Sequence, residues 1–246
     1  MRLRGIAFST ALMTLAMITV KANPPLALLD ESMLGVRKES SDLLIEHGVA
    51  LTTPMAFSQD SVFGNAYHQT LNILIHENEC SEFFGGVANS IDIFSRLMTK
   101  ARKGYWPSSV GIRMSGQTTA VLNARTKREY RLFDAVEINS NGPFYKRKFS
   151  VAEPVIPNVG SFPPNTKEAR VLMLLHELGH AVKGKNGDWL LPNDGNDEIA
   201  SRSNSLKIEE VCGEEIKTVA KSGELEPTTR KFDSTTAVSQ PQRKEP

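Results

Sequence analysis

The sequence lacks an excess of charge of either sign, and it lacks a long apolar run beyond its N-terminal segment. Its 246 residues include 29 Lys and Arg against 28 Asp and Glu, a formal net charge of +1. This balance gives no basic field of the kind that attracts nucleic acid, so no nucleic-acid partner is expected. No stretch after residue 22 is long and apolar enough to span a membrane. A hydrophobic content of 40% is enough for one domain with a real core and marginal for two.

The first 22 residues have the layout of a secretory signal peptide. A short basic start precedes an uncharged run of 16 residues from Gly5 to Val20, and the expected cut lies before Asn23. The run is short for a membrane span, and an uncleaved N-terminal anchor is the alternative. No cysteine follows the run, which disfavours a lipoprotein anchor. We therefore expect a secreted or periplasmic protein with no membrane association after cleavage of residues 1–22.

Cysteine is scarce, since the chain contains only Cys80 and Cys212. In an exported protein an even number of cysteines indicates a candidate disulfide, with two buried free thiols as the alternative. A bridge between them would close a loop of about 130 residues and would contribute about 4–5 kcal/mol in the chain-entropy model. The disulfide is thus predicted from the compartment and from the count alone.

The hydrophobic pattern predicts an α+β fold in a single domain over residues 23–216. Residues 41–103 place apolar side chains at helical spacing, so N-terminal helices are expected there. Short alternating segments follow and favour a small antiparallel sheet. The expected strands are 110–114, 118–122, 130–138 and 144–149. The polar tail at 217–246 has few apolar residues and is expected to be disordered.

Two helices are expected to complete the domain, over residues 166–183 and 198–216. Asn165 can cap the first, and Glu168 three residues later gives a capping-box pattern. Gly184 is the expected left-handed stop of that helix.

The segment with the clearest chemistry is the HExxH motif from His176 to His180, in the middle of the first of these helices. Histidines four residues apart lie on one helical face, where two imidazole nitrogens can bind one zinc ion at about 2.0–2.1 Å. Glu177 flanks that point and can act as general base toward a zinc-bound water, whose pKa falls to about 7. The apolar run before the motif buries the helix, so two polar histidines there need a partner. Hydrogen-bonded histidines without a metal are the alternative.

On these residues the sequence resembles the zincin superfamily of metallopeptidases, over about 50 residues from Pro163 to Cys212. The resemblance implies a zinc cofactor, a peptide or protein substrate, and Glu177 as the catalytic base. The extended metzincin motif is not met, because Lys183 and Asn186 stand where its glycine and third histidine would be.

A catalytic zinc of this type needs a third protein ligand, and two carboxylates stay open for that position. Asp194 would make the site similar to the aspzincin type, without the Gly-Thr of that family, and Glu198 would give the gluzincin arrangement. The layout also resembles a group of small secreted bacterial proteins with an Asp-Gly loop after the HExxH helix, which slightly favours Asp194. The matching residues of the next helix are Ser201, Asn204 and Cys212. The remaining alternatives are Glu209, Glu210 or no protein ligand.

The resemblance implies two further features. Tyr130 or Tyr145 could supply an oxyanion-stabilising group, and strand 130–138 or 144–149 could pair with an extended substrate as an edge strand. The remaining histidines are taken as structural or exposed because none has a partner at metal spacing; they are His47, His68 and His76. The basic residues within 125–131 and 146–148 are expected on solvated faces.

These observations predict an exported, monomeric zinc peptidase, and two alternatives of other classes stay open. The first is an exported binding module with a structural zinc, which would need a fourth protein ligand. The second is an exported interaction protein without metal, in which the HExxH helix only fills the core.

Overall fold

The computed structural model describes residues 54–149, 155–195 and 197–222, which form an α+β fold. The predictions of a signal peptide and of a tail beyond residue 222 lie outside these residues. The helices are α1 (Ser61–Leu74), α2 (Glu79–Phe83), α3 (Val87–Met98), α4 (Lys167–Ala181) and α5 (Glu198–Ser222), and the strands are β1 (Ala101–Gly104), β2 (Ile112–Leu122) and β3 (Glu129–Asn139). A short 3₁₀ turn, Met55–Phe57, precedes α1. The expected α+β class is confirmed, and α5 continues six residues into the segment expected to be a disordered tail.

The sheet has the order β1-β3-β2, with β3 in the centre. Strands β2 and β3 are antiparallel as expected, whereas β1 runs parallel to β3 with Ala101 opposite Val136. The sheet is therefore mixed rather than purely antiparallel. The pattern assigned β1 to the helical region because a four-residue strand that depends on a distant partner leaves no local periodicity.

The expected strand at 144–149 does not form. This segment begins with turns, in which the Tyr145 N–H donates to the Gly142 carbonyl at 3.1 Å. Within the described ranges its one ladder contact is an isolated bridge between Lys148 and Val155. Phe144 instead packs into the core, fully buried, because aromatic burial outweighs strand propensity here.

The two strands expected at 110–114 and 118–122 are one strand, β2, with a bulge between Ser115 and Thr118. Gly116 has φ +86°, and a Cβ at this position would lie 2.6 Å from the Asp134 side chain. The bulge thus requires glycine, both for its backbone conformation and for its close approach to β3.

Helix α4 lies at the centre of the core. Residues 171–182 are all buried, and the helix packs against α1, α3, α5 and the two longer strands. A helix that is apolar on nearly every side is stable only when it is surrounded. The polar residues of the HExxH motif therefore lie in the most enclosed part of the molecule.

Helix α4 begins and ends at slightly different residues from those expected. Thr166, not Asn165, is the N-cap, and its hydroxyl accepts the N–H of the third helical residue at 3.2 Å. At the other end Val182 is extended and pairs with Tyr130 of β3. The helix is thus stopped by this strand pairing, and Gly184 is not in the left-handed region.

The expected disulfide between Cys80 and Cys212 is confirmed. It joins α2 to α5, with the two Cα atoms 4.7 Å apart and a sequence separation of 132. Such bonds persist in oxidising compartments, so the bridge indicates a non-cytoplasmic protein. None of the helices in the described residues combines the length and apolar character that crossing a membrane requires.

The variant with both Cys80→Ala and Cys212→Ala should unfold more easily, because the reduced chain regains the entropy that the large loop removes. We expect the free energy of unfolding to fall by about 4–5 kcal/mol. Urea titration of the variant against the oxidised wild type measures this difference. Wild type with reductant should shift in the same direction, and an unchanged midpoint in the variant would show that the bridge contributes no stability.

Candidate metal centre

The three polar residues of the HExxH motif lie in the second half of α4 and are all buried. His176, Glu177 and His180 are 4%, 6% and 3% exposed. The two Nε2 atoms are 3.0 Å apart, and the ring centroids are 4.8 Å apart. The one-turn spacing has therefore turned both imidazoles toward one point, as the sequence predicts.

Asp194, from the loop between α4 and α5, completes this group. Its Oδ2 lies 2.9 Å from His176 Nε2, and its Oδ1 lies 3.3 Å from His180 Nε2. One ligand atom from each of the three residues lies within 4.8 Å of the other two. Over the described part of the chain, this is the group of residues that could jointly bind a metal ion. Two ligands of a tetrahedral zinc ion are about 3.3–3.4 Å apart, since each bond is about 2.0–2.1 Å. The separations therefore fit a single small cation.

The other carboxylates considered as third ligand lie elsewhere. Glu198 is exposed at the start of α5, where it accepts a hydrogen bond from the Ser109 hydroxyl. Glu209 accepts from both the N–H and the hydroxyl of Ser161, and Glu210 is exposed. The structure therefore brings Asp194 to the two histidines, and it does not bring Glu198.

A short hairpin returns the chain from the end of α4 to the site. Lys183 pairs with Trp189 across this hairpin, and the Leu190 N–H donates to the Val182 carbonyl at 2.9 Å. Three residues after Leu191 the chain presents Asp194. The third candidate ligand thus lies on a loop whose first residues hydrogen-bond to the end of α4.

Gly179, inside the HExxH motif, permits this return. The Leu191 N–H donates to the Gly179 carbonyl at 3.2 Å, and a Cβ on Gly179 would lie 2.6 Å from the Leu191 side chain. A larger residue at position 179 would push the returning chain, and with it Asp194, away from the helix.

Two residues of α5 hydrogen-bond to His176 and Asp194, two of the candidate ligands. The Ser205 hydroxyl lies 2.9 Å from His176 Nδ1, and the Asn204 amide donates to Asp194 Oδ2 at 3.2 Å. Such partners orient metal ligands and raise their basicity. The sequence indicates Asn204 only through a resemblance, and the predicted site omits Ser205. The signal available for both was a pair of polar residues on the buried face of an amphipathic helix.

The electrostatics of the group favour positive charge between the three side chains. Burial opposes ionisation of Asp194, but its contacts with His176 and His180 outweigh burial and hold the pKa of the carboxyl well below its usual range. Burial likewise acts to lower the pKa of His180, yet the contact with Asp194 and the charge of Glu177 raise it. For Glu177, burial raises the pKa.

An open cleft of about 440 Å³ adjoins the site, with His176 and Glu177 in its wall. Its apolar lining comes from the segment before β2, from the 157–160 loop and from α4. The apolar lining residues include Val110, Ile112, Val159 and Met173. Strand β2 is an edge of the sheet, so it is the strand at the cleft that can accept another strand. The expectation that 130–138 forms this edge is wrong, because that segment is the central strand β3.

Several other residues singled out in the sequence lie away from the site. Tyr130 is buried beside Val182, and the Tyr145 hydroxyl donates to Asp60 at 2.9 Å; neither lines the cleft. His76 is exposed, His68 lies edge-on to the Tyr67 ring, and His47 is outside the described residues.

Comparison of the chain with protein-family models, with curated proteins and with solved structures gave no match. The chemical interpretation of the site therefore depends on its own geometry.

Replacing Asp194 with alanine should abolish tight binding of Zn²⁺, used here as the probe, because the two imidazoles lose the carboxylate whose oxygens lie 2.9 Å and 3.3 Å from their Nε2 atoms. Glu198→Ala is the matched control and should bind Zn²⁺ as the wild type does. Competition with a chromophoric chelator measures both affinities. The opposite pattern, in which Glu198→Ala loses the ion and Asp194→Ala keeps it, would overturn the ligand assignment.

Replacing Ser205 with alanine should weaken Zn²⁺ binding by about 10–100-fold, the usual cost of removing a partner of a ligating histidine. Ser203→Ala provides the control, since Ser203 is exposed on the same helix. The same chelator competition applies. Equal affinities of the two variants would show that the Ser205 contact does not orient His176.

Proposed function

We propose that this protein is an exported zinc-dependent peptidase in which His176, His180 and Asp194 bind the ion and Glu177 is the general base. The observation that carries the proposal is the convergence of three ligand atoms within 4.8 Å, beside a buried glutamate in the wall of an open cleft. Two imidazole nitrogens and one carboxylate suit zinc, whereas magnesium and calcium prefer sites made of oxygen.

The number of ligands supports a catalytic rather than a structural ion. A structural zinc is closed by four protein ligands, whereas a catalytic zinc has three and keeps one open position. In the described ranges the candidate metal group contains three residues. These three residues line a small pocket, and Glu177 and Ser201 border both that metal pocket and the larger cleft. The site therefore adjoins, through His176 and Glu177, a space that a substrate can enter.

The chemistry follows from these positions. A zinc ion held by His176, His180 and Asp194 would lower the pKa of a bound water to about 7 and polarise a substrate carbonyl. Glu177 would accept one proton of that water as the water oxygen bonds to the carbonyl carbon. The same carboxyl group would then give this proton to the amide nitrogen as the C–N bond breaks, so the products are a carboxylic acid, which ionises in water, and an amine.

The substrate is proposed to be a peptide in extended conformation. The start of β2 and the residues before it border both the metal pocket and the cleft, and an unpaired strand edge binds an extended chain through main-chain hydrogen bonds. The apolar cleft wall then accepts an apolar side chain next to the cleaved bond. The signal-peptide pattern, together with the disulfide, supports export of the enzyme.

Glu177→Gln tests the proposal, because glutamine keeps the size of the side chain but cannot take up the proton. The variant should retain one Zn²⁺ per chain while cleavage of casein or of short peptides falls by about 10²–10⁴-fold. Metal analysis and a cleavage assay of the same preparation measure both quantities.

Glu168→Gln serves as the control, since Glu168 lies in the first turn of the same helix and outside the cleft. It should cleave at the wild-type rate. Cleavage by Glu177→Gln at the wild-type rate would overturn the role of Glu177, and absence of both zinc and cleavage in the wild type would overturn the whole proposal.

A further inference from the structure

The two histidines of the site are held in different ways. His176 has a hydrogen-bond partner at each ring nitrogen, with Ser205 at Nδ1. His180 Nδ1 is buried and, within the described residues, has no hydrogen-bond partner. Among the described residues no hydrogen bond on the far side of the His180 ring sets its orientation, so the ring position depends on the backbone and on packing.

Arg131, on β3, supplies a backbone contact at this point. Its Nε donates to the His180 carbonyl at 2.6 Å. Helix α4 ends one residue later, at Ala181, so this carbonyl belongs to the last turn, where carbonyls lack helical partners. A cation here also interacts favourably with the negative end of the helix dipole. The basic residues of 125–131 are expected from the sequence on a solvated face, but Arg131 is only partly exposed.

The same guanidinium also contacts the hairpin that delivers the third ligand. Its Cζ lies 4.4 Å from the centroid of the Trp189 ring, a cation–π distance. The Lys183 ammonium lies 5.1 Å from the same ring and pairs with Glu129 of β3 at 2.9 Å. Trp189 precedes Asp194 by five residues, on the strand that returns to α4. Arg131 thus joins the end of the ligand helix to the base of the Asp194 loop.

We infer that Arg131 is a positioning residue of the zinc site, which fixes His180 through its carbonyl and the Asp194 loop through Trp189. The inference rests on the proposed zinc function. Arg131 does not contact the reacting atoms; it sets the separation between two ligands that come from different segments. A planar guanidinium suits this double role, since one N–H can donate in the plane while the face stacks on an indole.

The test is the Zn²⁺ affinity of the full-length Arg131→Gln protein, measured by chelator competition, together with urea unfolding of the metal-free protein. We expect the Kd for Zn²⁺ to rise by about 10–100-fold, as for other residues behind metal ligands. Visible absorption of the Co²⁺-loaded protein should lose intensity, because a distorted site departs from tetrahedral geometry. Arg131→Lys should recover part of the affinity, since an ammonium can still donate to the His180 carbonyl.

Arg102→Gln is the matched control. Arg102 lies on β1, at the other side of β3 from β2, and its side chain donates to Glu137. The variant should bind Zn²⁺ and Co²⁺ as the wild type does. Trp189→Leu removes the ring contacts of Arg131 and Lys183 but keeps the hydrogen bond from Arg131 to His180. It should raise the Kd several-fold, which gives a second measurement if Arg131→Gln does not fold.

Wild-type Zn²⁺ affinity and Co²⁺ spectra in folded Arg131→Gln, or in Trp189→Leu if Arg131→Gln does not fold, would overturn the inference. Such a result would show that these contacts affect stability alone, and the zinc function would stand. A wild-type protein that binds no Zn²⁺ would instead overturn the proposed function, and the role of Arg131 with it.

Discussion

The interaction on which the rest of the structure depends is the meeting of two buried imidazoles with one carboxylate. His176 and His180 lie on a helix that is enclosed on nearly all sides, where an unpaired polar group is costly. At 3.0 Å from each other, their Nε2 atoms cannot both present a lone pair without repulsion unless a proton or a cation lies between them. Asp194 adds negative charge at the same point. The core of this protein therefore contains a place that favours a shared proton or a bound cation.

Much of the surrounding fold serves to bring Asp194 there. The chain leaves α4 by pairing with β3 and turns back through the short hairpin that contains Trp189. It returns close to Gly179, whose missing side chain makes room for Leu191. Helix α5 then closes the far side with Asn204 and Ser205. The disulfide ties the middle of α5 to α2, so the residues behind the ligands belong to a helix anchored at a second point. The ligands come from two segments, but each is fixed by contacts within one core.

The structural features that can be predicted from the sequence are those with a local pattern. The HExxH helix, the convergence of its histidines and the α5 helix follow from spacing along one element. The choice between Asp194 and Glu198 as third ligand does not follow from spacing. Both lie close enough to the motif along the sequence, and only the path of the loop decides which one reaches the histidines. Strand β1 depends on a distant partner, and the expected strand at 144–149 was lost to burial of Phe144. The roles of Ser205 and Arg131 also depend on tertiary contacts, since a serine on a helix and an arginine in a basic segment have many ordinary uses.

The most direct test of the central claim is the X-ray absorption spectrum of the purified full-length protein loaded with zinc. Coordination by His176, His180 and Asp194 predicts one zinc per chain, four-coordinate, with two imidazole nitrogens at about 2.0–2.1 Å and the remaining positions filled by oxygen. A protein that binds no zinc, or one whose zinc has a single imidazole ligand or any sulfur ligand, would contradict it.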